Sequence, residues 1–159
     1  MSDEQLDDLT QPQRDRLAFV ELRVRFIGDI RRQDLVSRFG IQSAAATRDL
    51  AIYKELAPGN IDYDTKAKCY VLGEDFKPLF DFPPERVLSW LTQGFGDGES
   101  SQLKAWVASE IPSRLTHPDL DVLACVTRAI HQECPIRVEY HSISSGQTER
   151  QIVPFALID

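Results

Sequence analysis

The residues with the clearest capacity for chemistry lie between positions 43 and 57, where small, hydroxyl-bearing and cationic side chains recur at helical spacing. On a helix of 3.6 residues per turn, Ala46, Leu50 and Tyr53 share one side and predict a core face. The opposite side carries small residues and one cation: Ala44, Thr47, Arg48 and Ala51. Because small side chains let a helix lie deep in the major groove of DNA, which is about 12 Å wide, this side predicts a groove-reading surface.

Thr47 and Arg48 supply the hydrogen-bonding groups of that surface. Thr47 would hydrogen-bond a base edge or touch a thymine methyl group, and Arg48 would bind guanine O6 and N7 or a phosphate. Ser43 stands at the predicted helix start, where free backbone N–H groups and the helix dipole favour a phosphate. Taken alone, the run from Ser43 to Thr47 also fits an ordinary capped helix start. The elements around it decide between the two interpretations.

Those elements favour the DNA interpretation. Residues 31–39 predict a short helix, and Gly40 ends it, as a C-terminal glycine commonly does. Residues 43–57 predict the next helix, with Ser43 as its cap and Pro58-Gly59 at its end. Two short helices joined by a tight glycine-containing turn are typical of a helix-turn-helix.

A β-hairpin is predicted directly after the second of these helices. Residues 61–64 and 68–72 alternate in polarity around residues 65–67. A hairpin in this place is the wing of a winged helix-turn-helix, so the sequence predicts that fold for residues 1–80.

Cationic residues occur on each of these elements. Arg31 and Arg32 begin the first short helix and would face the DNA backbone across the groove, whereas Lys66 and Lys68 lie at the wing tip. Each of these cations taken alone is more often a solvated surface charge. The complete predicted DNA-contacting set is Arg31, Arg32, Ser43, Ala44, Thr47, Arg48, Lys54, Lys66 and Lys68.

A longer helix is predicted before the motif, over residues 11–27, with Pro12 in its first turn. It carries two apolar stripes, Leu17, Val20, Val24 and Ile27 on one side and Phe19, Leu22 and Phe26 on another. A helix that is apolar on two sides usually packs against two partners. The second stripe therefore predicts either a deeply buried helix, a contact with a following domain, or a tentative dimer interface.

The rest of the chain predicts a helical linker followed by strands. Pro83-Pro84 marks a boundary, and residues 94–101 form a glycine- and serine-containing loop. Predicted helices cover residues 85–91, 103–111 and 119–133, with an irregular stretch at 112–118, and predicted strands cover residues 136–141 and 148–153. The fold class is therefore mainly α with short β.

The net charge of −7 is unusual for a nucleic-acid binder, but it is unevenly distributed. Residues 1–10 carry four acids and no base, whereas residues 11–77 carry twelve Lys or Arg and ten Asp or Glu. The modest positive excess thus coincides with the predicted DNA-binding region, and the local field matters more than the total. An acidic protein-interaction adaptor that keeps the helix-turn-helix without binding DNA stays as the alternative.

The sequence gives little support for a catalytic or metal-binding function. A catalytic Cys134 would use His131 or His141 as its base, but Pro135 follows at a helix end and no glycine-rich or oxyanion-hole motif stands near. The three histidines include no i, i+4 pair, so no metal site or cofactor is expected. Three cysteines without metal-ligand spacing, and no long apolar run, predict a reduced, cytoplasmic protein. The predicted DNA binding would associate it with the nucleoid.

The chain resembles a known family in several stretches. These are RLAFVELRVRFIG at 16–28, DLVSRFGI at 34–41, SAAATRDLAIYKE at 43–55 and KCYVLG at 68–73. Together they resemble the WYL-domain winged helix-turn-helix transcriptional regulators, in particular those found beside phage-defence operons of the BREX and CBASS type. The resemblance implies a homodimeric repressor that binds an inverted-repeat operator in double-stranded DNA.

The C-terminal stretches IRVEYHSISSG at 136–146 and RQIVPFAL at 150–157 resemble the opening of the WYL domain itself. The resemblance implies the first strands of a small SH3- or Sm-like β-barrel over residues 134–159, after a helical linker at 81–133. In the family this barrel is thought to sense a nucleotide or nucleic-acid fragment. Because the sequence stops at Asp159, the expectation is an incomplete WYL domain without the effector site.

Overall fold

The computed structural model describes residue 6 and residues 8–95, 109–110, 118–142 and 146–158. The chain forms two compact units, residues 1–82 and residues 83–159. The first unit holds the predicted winged helix-turn-helix.

Helix α1 runs from Gln11 to Phe26, with Pro12 in its first turn, as predicted. Both of its apolar stripes are buried within the chain, because Leu17, Val20 and Val24 are fully covered and so are most members of the second stripe. Phe19, Leu22 and Phe26 are exposed by 3%, 0% and 0%. The second stripe is thus buried within one chain, as expected for a deeply buried helix, and the tentative dimer interface at these residues leaves almost no side-chain surface for a second copy.

Helices α2 (Arg32–Phe39) and α3 (Ser43–Leu56) form the helix-turn-helix. Gly40 ends α2 with a φ of 63°, in the left-handed region that glycine adopts without strain, and this confirms its predicted role. The predicted cap of α3 was wrong by one residue. Gln42 is the extended residue that precedes the helix, so Ser43 already has helical backbone and lies in the first turn.

A three-stranded antiparallel sheet completes the first unit. Strands β2 (Ile61–Asp64) and β3 (Cys69–Leu72) form the predicted hairpin, and β1 (Asp29–Ile30) pairs with β3 on its other side. Strand β1 was not predicted, because two residues are too few for an alternating pattern to be recognised. It links the end of α1 to the hairpin and so fixes the hairpin to the helical core.

A buried hydrogen-bond network crosses this core. The Glu21 carboxylate accepts from the Tyr53 hydroxyl at 2.9 Å and from the backbone N–H groups of Leu79 and Phe80 at 2.9 and 3.0 Å. Burial raises the pKa of Glu21, although these three hydrogen bonds and the nearby Arg25 guanidinium oppose the shift. The bonds compensate for a carboxyl group that is completely removed from solvent.

Asn60 extends the network towards the segment that leaves the unit. Its side-chain amide donates to the Tyr53 oxygen at 3.0 Å and to the Lys77 carbonyl at 2.7 Å, and its oxygen accepts from the Lys77 N–H at 2.8 Å. Burial is the main cause that raises the pKa of Tyr53, and the Glu21 charge adds to it. The tyrosine hydroxyl therefore keeps its proton and donates it in the hydrogen bond to Glu21.

The second unit begins with helix α4 (Pro84–Gln93), which extends the predicted helix by a few residues. Helix α5 (Leu120–Gln132) is capped by Asp119, whose side chain accepts from the N–H groups of Asp121 and Val122. The predicted strands are confirmed as an antiparallel hairpin of β5 (Ile136–Ser142) and β6 (Gly146–Ile152).

The predicted helix at residues 103–111 was wrong where it can be compared. Residues 109–110 form a short strand, β4 (Ser109–Glu110), which pairs in parallel with β7 (Leu157–Ile158). The long-range partner strand decides the conformation there, and local periodicity carries no signal of it. The remainder of that predicted helix, most of the 94–101 loop and most of the 112–118 stretch lie outside the described residues.

The buried network gives a test of the core. We expect Tyr53→Phe to lower the free energy of unfolding by about 2 kcal/mol, because it removes a side-chain donor from a buried carboxylate. Urea denaturation measures the effect. Tyr63→Phe is the matched control, because Tyr63 is 51% exposed and its loss should stay within about 0.5 kcal/mol. Equal losses in the two variants would contradict the role of the network.

Candidate nucleic-acid interface

Helix α3 presents the two faces that its sequence predicts. Ala46, Leu50 and Tyr53 are buried, with exposures of 0%, 2% and 0%. The opposite side is exposed along its length and consists of Ala44, Thr47, Arg48 and Ala51. The helix therefore offers solvent a surface of small side chains with a single guanidinium group.

Two buried contacts with α1 hold α3 in place. The Arg16 guanidinium binds the Asp49 carboxylate through two nitrogens, at 2.6 and 3.2 Å, and Asp49 is almost fully buried. One turn further along α3, Tyr53 donates to Glu21. Since a bidentate Arg–carboxylate pair has defined geometry as well as charge, these contacts fix both the position and the rotation of α3.

A surface cleft of about 200 Å³ lies where α2, α3 and the hairpin meet. It is lined by Arg31, Arg32, Thr47, Leu50, Tyr63, Lys68, Cys69 and Tyr70. Four residues of the predicted DNA-contacting set thus meet in one place, although they come from three separate elements. Within the cleft, an Arg32 guanidinium N–H donates to the Thr47 hydroxyl oxygen at 3.3 Å.

The other predicted contact residues lie around this cleft rather than in it. Ser43, Ala44, Arg48 and Lys54 are exposed on α3, and Lys66 is exposed on the turn between β2 and β3. The structure thus leaves the whole predicted set accessible on the first unit.

Two aromatic residues of the cleft were missed by the sequence analysis. Tyr63 and Tyr70 lie directly opposite each other on β2 and β3, and their rings meet edge to face at a centroid distance of 5.1 Å. Counting outward from the predicted 65–67 turn places Tyr63 opposite Cys69, one residue from the observed register, so the predicted turn did not reveal this pair. Tyr63 is half exposed and brings a phenol hydroxyl to the same cleft as Arg31 and Lys68.

The tip of the hairpin has its own hydrogen bonds. The Asp64 carboxylate accepts from the backbone N–H groups of Lys66 and Ala67 at 2.7 and 3.1 Å, and Lys68 follows with a φ of 54°. At the base of the hairpin, a Cβ atom on Gly73 would overlap the carbonyl oxygen of Gly59. The hairpin is therefore defined at both ends, and Lys66 and Lys68 project from an ordered turn.

Several acidic groups near the interface are engaged in internal contacts. Asp49 binds Arg16, Asp64 binds the turn, and Asp34 accepts from the Arg31 backbone N–H at 2.7 Å. Asp49 and Asp34 also lie beside the Arg16 and Arg23 guanidinium groups, at 2.6 and 3.5 Å, so their charges oppose an approaching phosphate less than unpaired carboxylates would. This explains how a region with a small positive excess can still present a cationic surface.

The described residues contain no group of three or more His, Cys, Asp or Glu side chains that could hold a metal ion. Within the same part of the chain, no helix has the length and apolar character needed to span a membrane.

This architecture agrees with that of the known proteins to which the chain is similar. Residues 12–93 match the winged helix-turn-helix domain of the BrxR transcriptional regulator family. The chain belongs to this family. The match begins in α1 and ends in α4, so the BrxR-type domain includes the helix-turn-helix, the hairpin and the cleft. It confirms the resemblance to winged helix-turn-helix transcriptional regulators, a class distinct from enzymes.

Individual relatives extend the likeness beyond the BrxR-type domain. Proteins named DNA-binding transcriptional repressor CapW, from Escherichia coli strain KTE188 and from Pseudomonas aeruginosa, are 32% identical over 149 residues, which cover 90% of this chain and 50% of the relative. A CapW repressor from Stenotrophomonas maltophilia is 29% identical over 150 residues, which cover 89% of this chain. The chain spans about half the length of the curated relatives it matches.

The hairpin tip gives a second test. We expect Asp64→Ala to remove the hydrogen-exchange protection of the Lys66 and Ala67 amides and to lower the free energy of unfolding by about 1 kcal/mol, because two backbone donors lose their acceptor. Asp62→Ala is the matched control, since Asp62 is an exposed aspartate on the same strand. If both variants kept the two amides protected, the turn would not depend on the Asp64 carboxylate.

Proposed function

We propose that this chain binds double-stranded DNA in a sequence-specific manner and acts as a transcriptional repressor. The observation that carries the proposal is the exposed face of α3. Its small side chains and single guanidinium group are flanked by the cations of α2 and of the hairpin, and buried contacts hold the helix behind them. This is the shape and charge that a major-groove helix needs.

Each element has a distinct part in the proposed complex. Helix α3 enters the major groove and places Thr47 and Arg48 against base edges. Arg31 and Arg32, at the start of α2, bind the phosphate backbone beside the groove. Lys66 and Lys68 reach a phosphate or the adjacent minor groove from the wing. Backbone contacts would fix the register of the protein, and α3 would provide the sequence discrimination.

The relatives support the repressor part of this proposal. Those named above are described as DNA-binding transcriptional repressors, and their likeness covers most of this chain. Together with the resemblance to regulators of BREX and CBASS operons, this favours a cytoplasmic repressor of a phage-defence operon. A nucleotide or nucleic-acid effector belongs to the same proposal, and no residue of this chain is assigned to it.

We further propose that two copies bind the two halves of an inverted repeat, since two-fold symmetric proteins match palindromic operators. The apolar stripe of α1 does not supply the contact, because its side chains are buried within one chain. The second unit offers a different surface, where Ile152, Val153 and Phe155 are exposed by 43%, 61% and 84%. A stoichiometry of two chains per operator duplex, measured by light scattering, supports this arrangement.

A salt titration tests the proposed function. We expect the chain to bind duplex DNA from the region upstream of its own gene, and the affinity to fall by at least about tenfold as salt rises from 50 to 200 mM, because bound cations displace counterions from the phosphates. Fluorescence anisotropy gives the affinity at each salt concentration. Absence of salt-dependent DNA binding would instead support the acidic protein-interaction adaptor.

Arg48→Ala tests whether α3 reads the sequence. We expect it to weaken operator binding by about 1–3 kcal/mol and to reduce the preference for the operator over unrelated duplex, if Arg48 binds a guanine. Lys77→Ala is the charge-matched control, since Lys77 is exposed in the same unit and outside the predicted contact set. A uniform loss across all duplexes would show that Arg48 binds a phosphate, and unchanged binding would remove Arg48 from the interface.

A further inference from the structure

We propose that Thr47 determines part of the DNA specificity, and that it reads the C5-methyl group of a thymine with its own methyl group rather than with its hydroxyl. The inference rests on the proposed function and names the base feature that the exposed face of α3 recognises. The inference follows from the hydrogen bonds that the Thr47 hydroxyl already makes within the protein.

The Thr47 hydroxyl has one hydrogen to donate and two lone pairs to accept with. Its hydrogen is donated to the Ser43 carbonyl oxygen, one turn earlier in α3, at a distance of 3.0 Å. One lone pair accepts from the Arg32 guanidinium at 3.3 Å. The donor is therefore committed to the backbone of the helix itself, a common arrangement for threonine within helices.

This commitment limits what Thr47 can offer a base pair. The acceptors of the major groove, guanine O6 and N7, adenine N7 and thymine O4, all need a donor that the hydroxyl no longer has. Its second lone pair can accept only from the amino groups at adenine N6 and cytosine N4. The methyl group on the same Cβ atom remains. Ala44 and Ala51 lie one turn before and after it on the same exposed side and add further methyl groups. The apolar group that the major groove displays is the thymine C5-methyl.

The hydroxyl keeps a separate task. By accepting from Arg32, it holds the guanidinium of α2 against α3 inside the cleft that also contains Arg31 and Lys68. The two ends of the Thr47 side chain thus have different roles. The hydroxyl positions a cation for the DNA backbone, and the methyl group contacts the base.

Replacement of single thymines by deoxyuridine tests the proposal, because this change removes the C5-methyl group and nothing else. The duplex is the upstream fragment that the unaltered chain binds. We expect the unaltered chain to lose about fourfold in affinity at one thymine of each half-site, the factor expected for one methyl-sized apolar contact. Substitutions elsewhere in the duplex should have smaller effects.

Three variants of Thr47 then separate the methyl group from the hydroxyl. Thr47→Val keeps a methyl group at the same place, so the fourfold ratio between thymine and uracil duplexes should remain, even if the lost bond to Arg32 lowers overall affinity. Thr47→Ser and Thr47→Ala lack this methyl group, so their ratio at that position should fall to about one. The ratio is measured within each variant, and a general loss of folding or of affinity therefore cancels.

Thr65→Ser is the matched control, since Thr65 is an exposed threonine on the wing turn and should leave the ratio unchanged. The proposal is overturned if no thymine responds to uracil, or if Thr47→Ser keeps the ratio while Thr47→Val loses it. Binding that is insensitive to uracil would leave the proposed function intact and remove only this inference. Failure to bind the unmodified duplex would instead overturn the proposed function, and this inference with it.

Discussion

The Glu21 carboxylate accepts hydrogen bonds from two separate parts of the first unit, and the interface depends on this shared acceptor. Tyr53 belongs to α3, while the N–H groups of Leu79 and Phe80 belong to the segment that leaves the unit. A buried carboxyl group without these donors would cost several kcal/mol. The two segments therefore fold against α1 together, and the orientation of α3 is determined by the same polar group that closes the domain.

Some charged side chains of this unit are paired with each other within the fold. The Arg16–Asp49 pair adds a second link between α1 and α3, and the two opposite charges largely cancel each other in the outer field. The Asp34 carboxylate likewise lies 3.5 Å from the Arg23 guanidinium. An acidic protein can thus carry a local cationic surface, because its interface is defined by which charges are already compensated and not by their sum.

Much of this could be anticipated from the sequence. The faces of α3 follow from the spacing of Ala46, Leu50 and Tyr53, and the ends of the helices follow from Gly40 and from Pro58-Gly59, since these signals are local. The role of Glu21 could not be predicted from the sequence, because its hydrogen-bond partners are 32 to 59 residues away along the chain. Strand β1 and the parallel pair of β4 and β7 were missed for the same reason: each is too short to be recognised without its distant partner.

The pairing of β2 with β3 has a consequence for how such a hairpin can change during evolution. Tyr63 faces Tyr70 and Asp64 faces Cys69 across a four-residue turn, and neighbouring side chains of a strand point to opposite sides. An insertion of one residue in either strand would therefore move Tyr63 or Tyr70 away from the cleft, whereas matched pairs of residues would lengthen the hairpin and keep both in place. The wing can therefore change in length without moving Tyr63 and Tyr70 only when residues are added or removed in matched pairs. The close contact between Gly73 and Gly59 keeps the base of the wing in the same place.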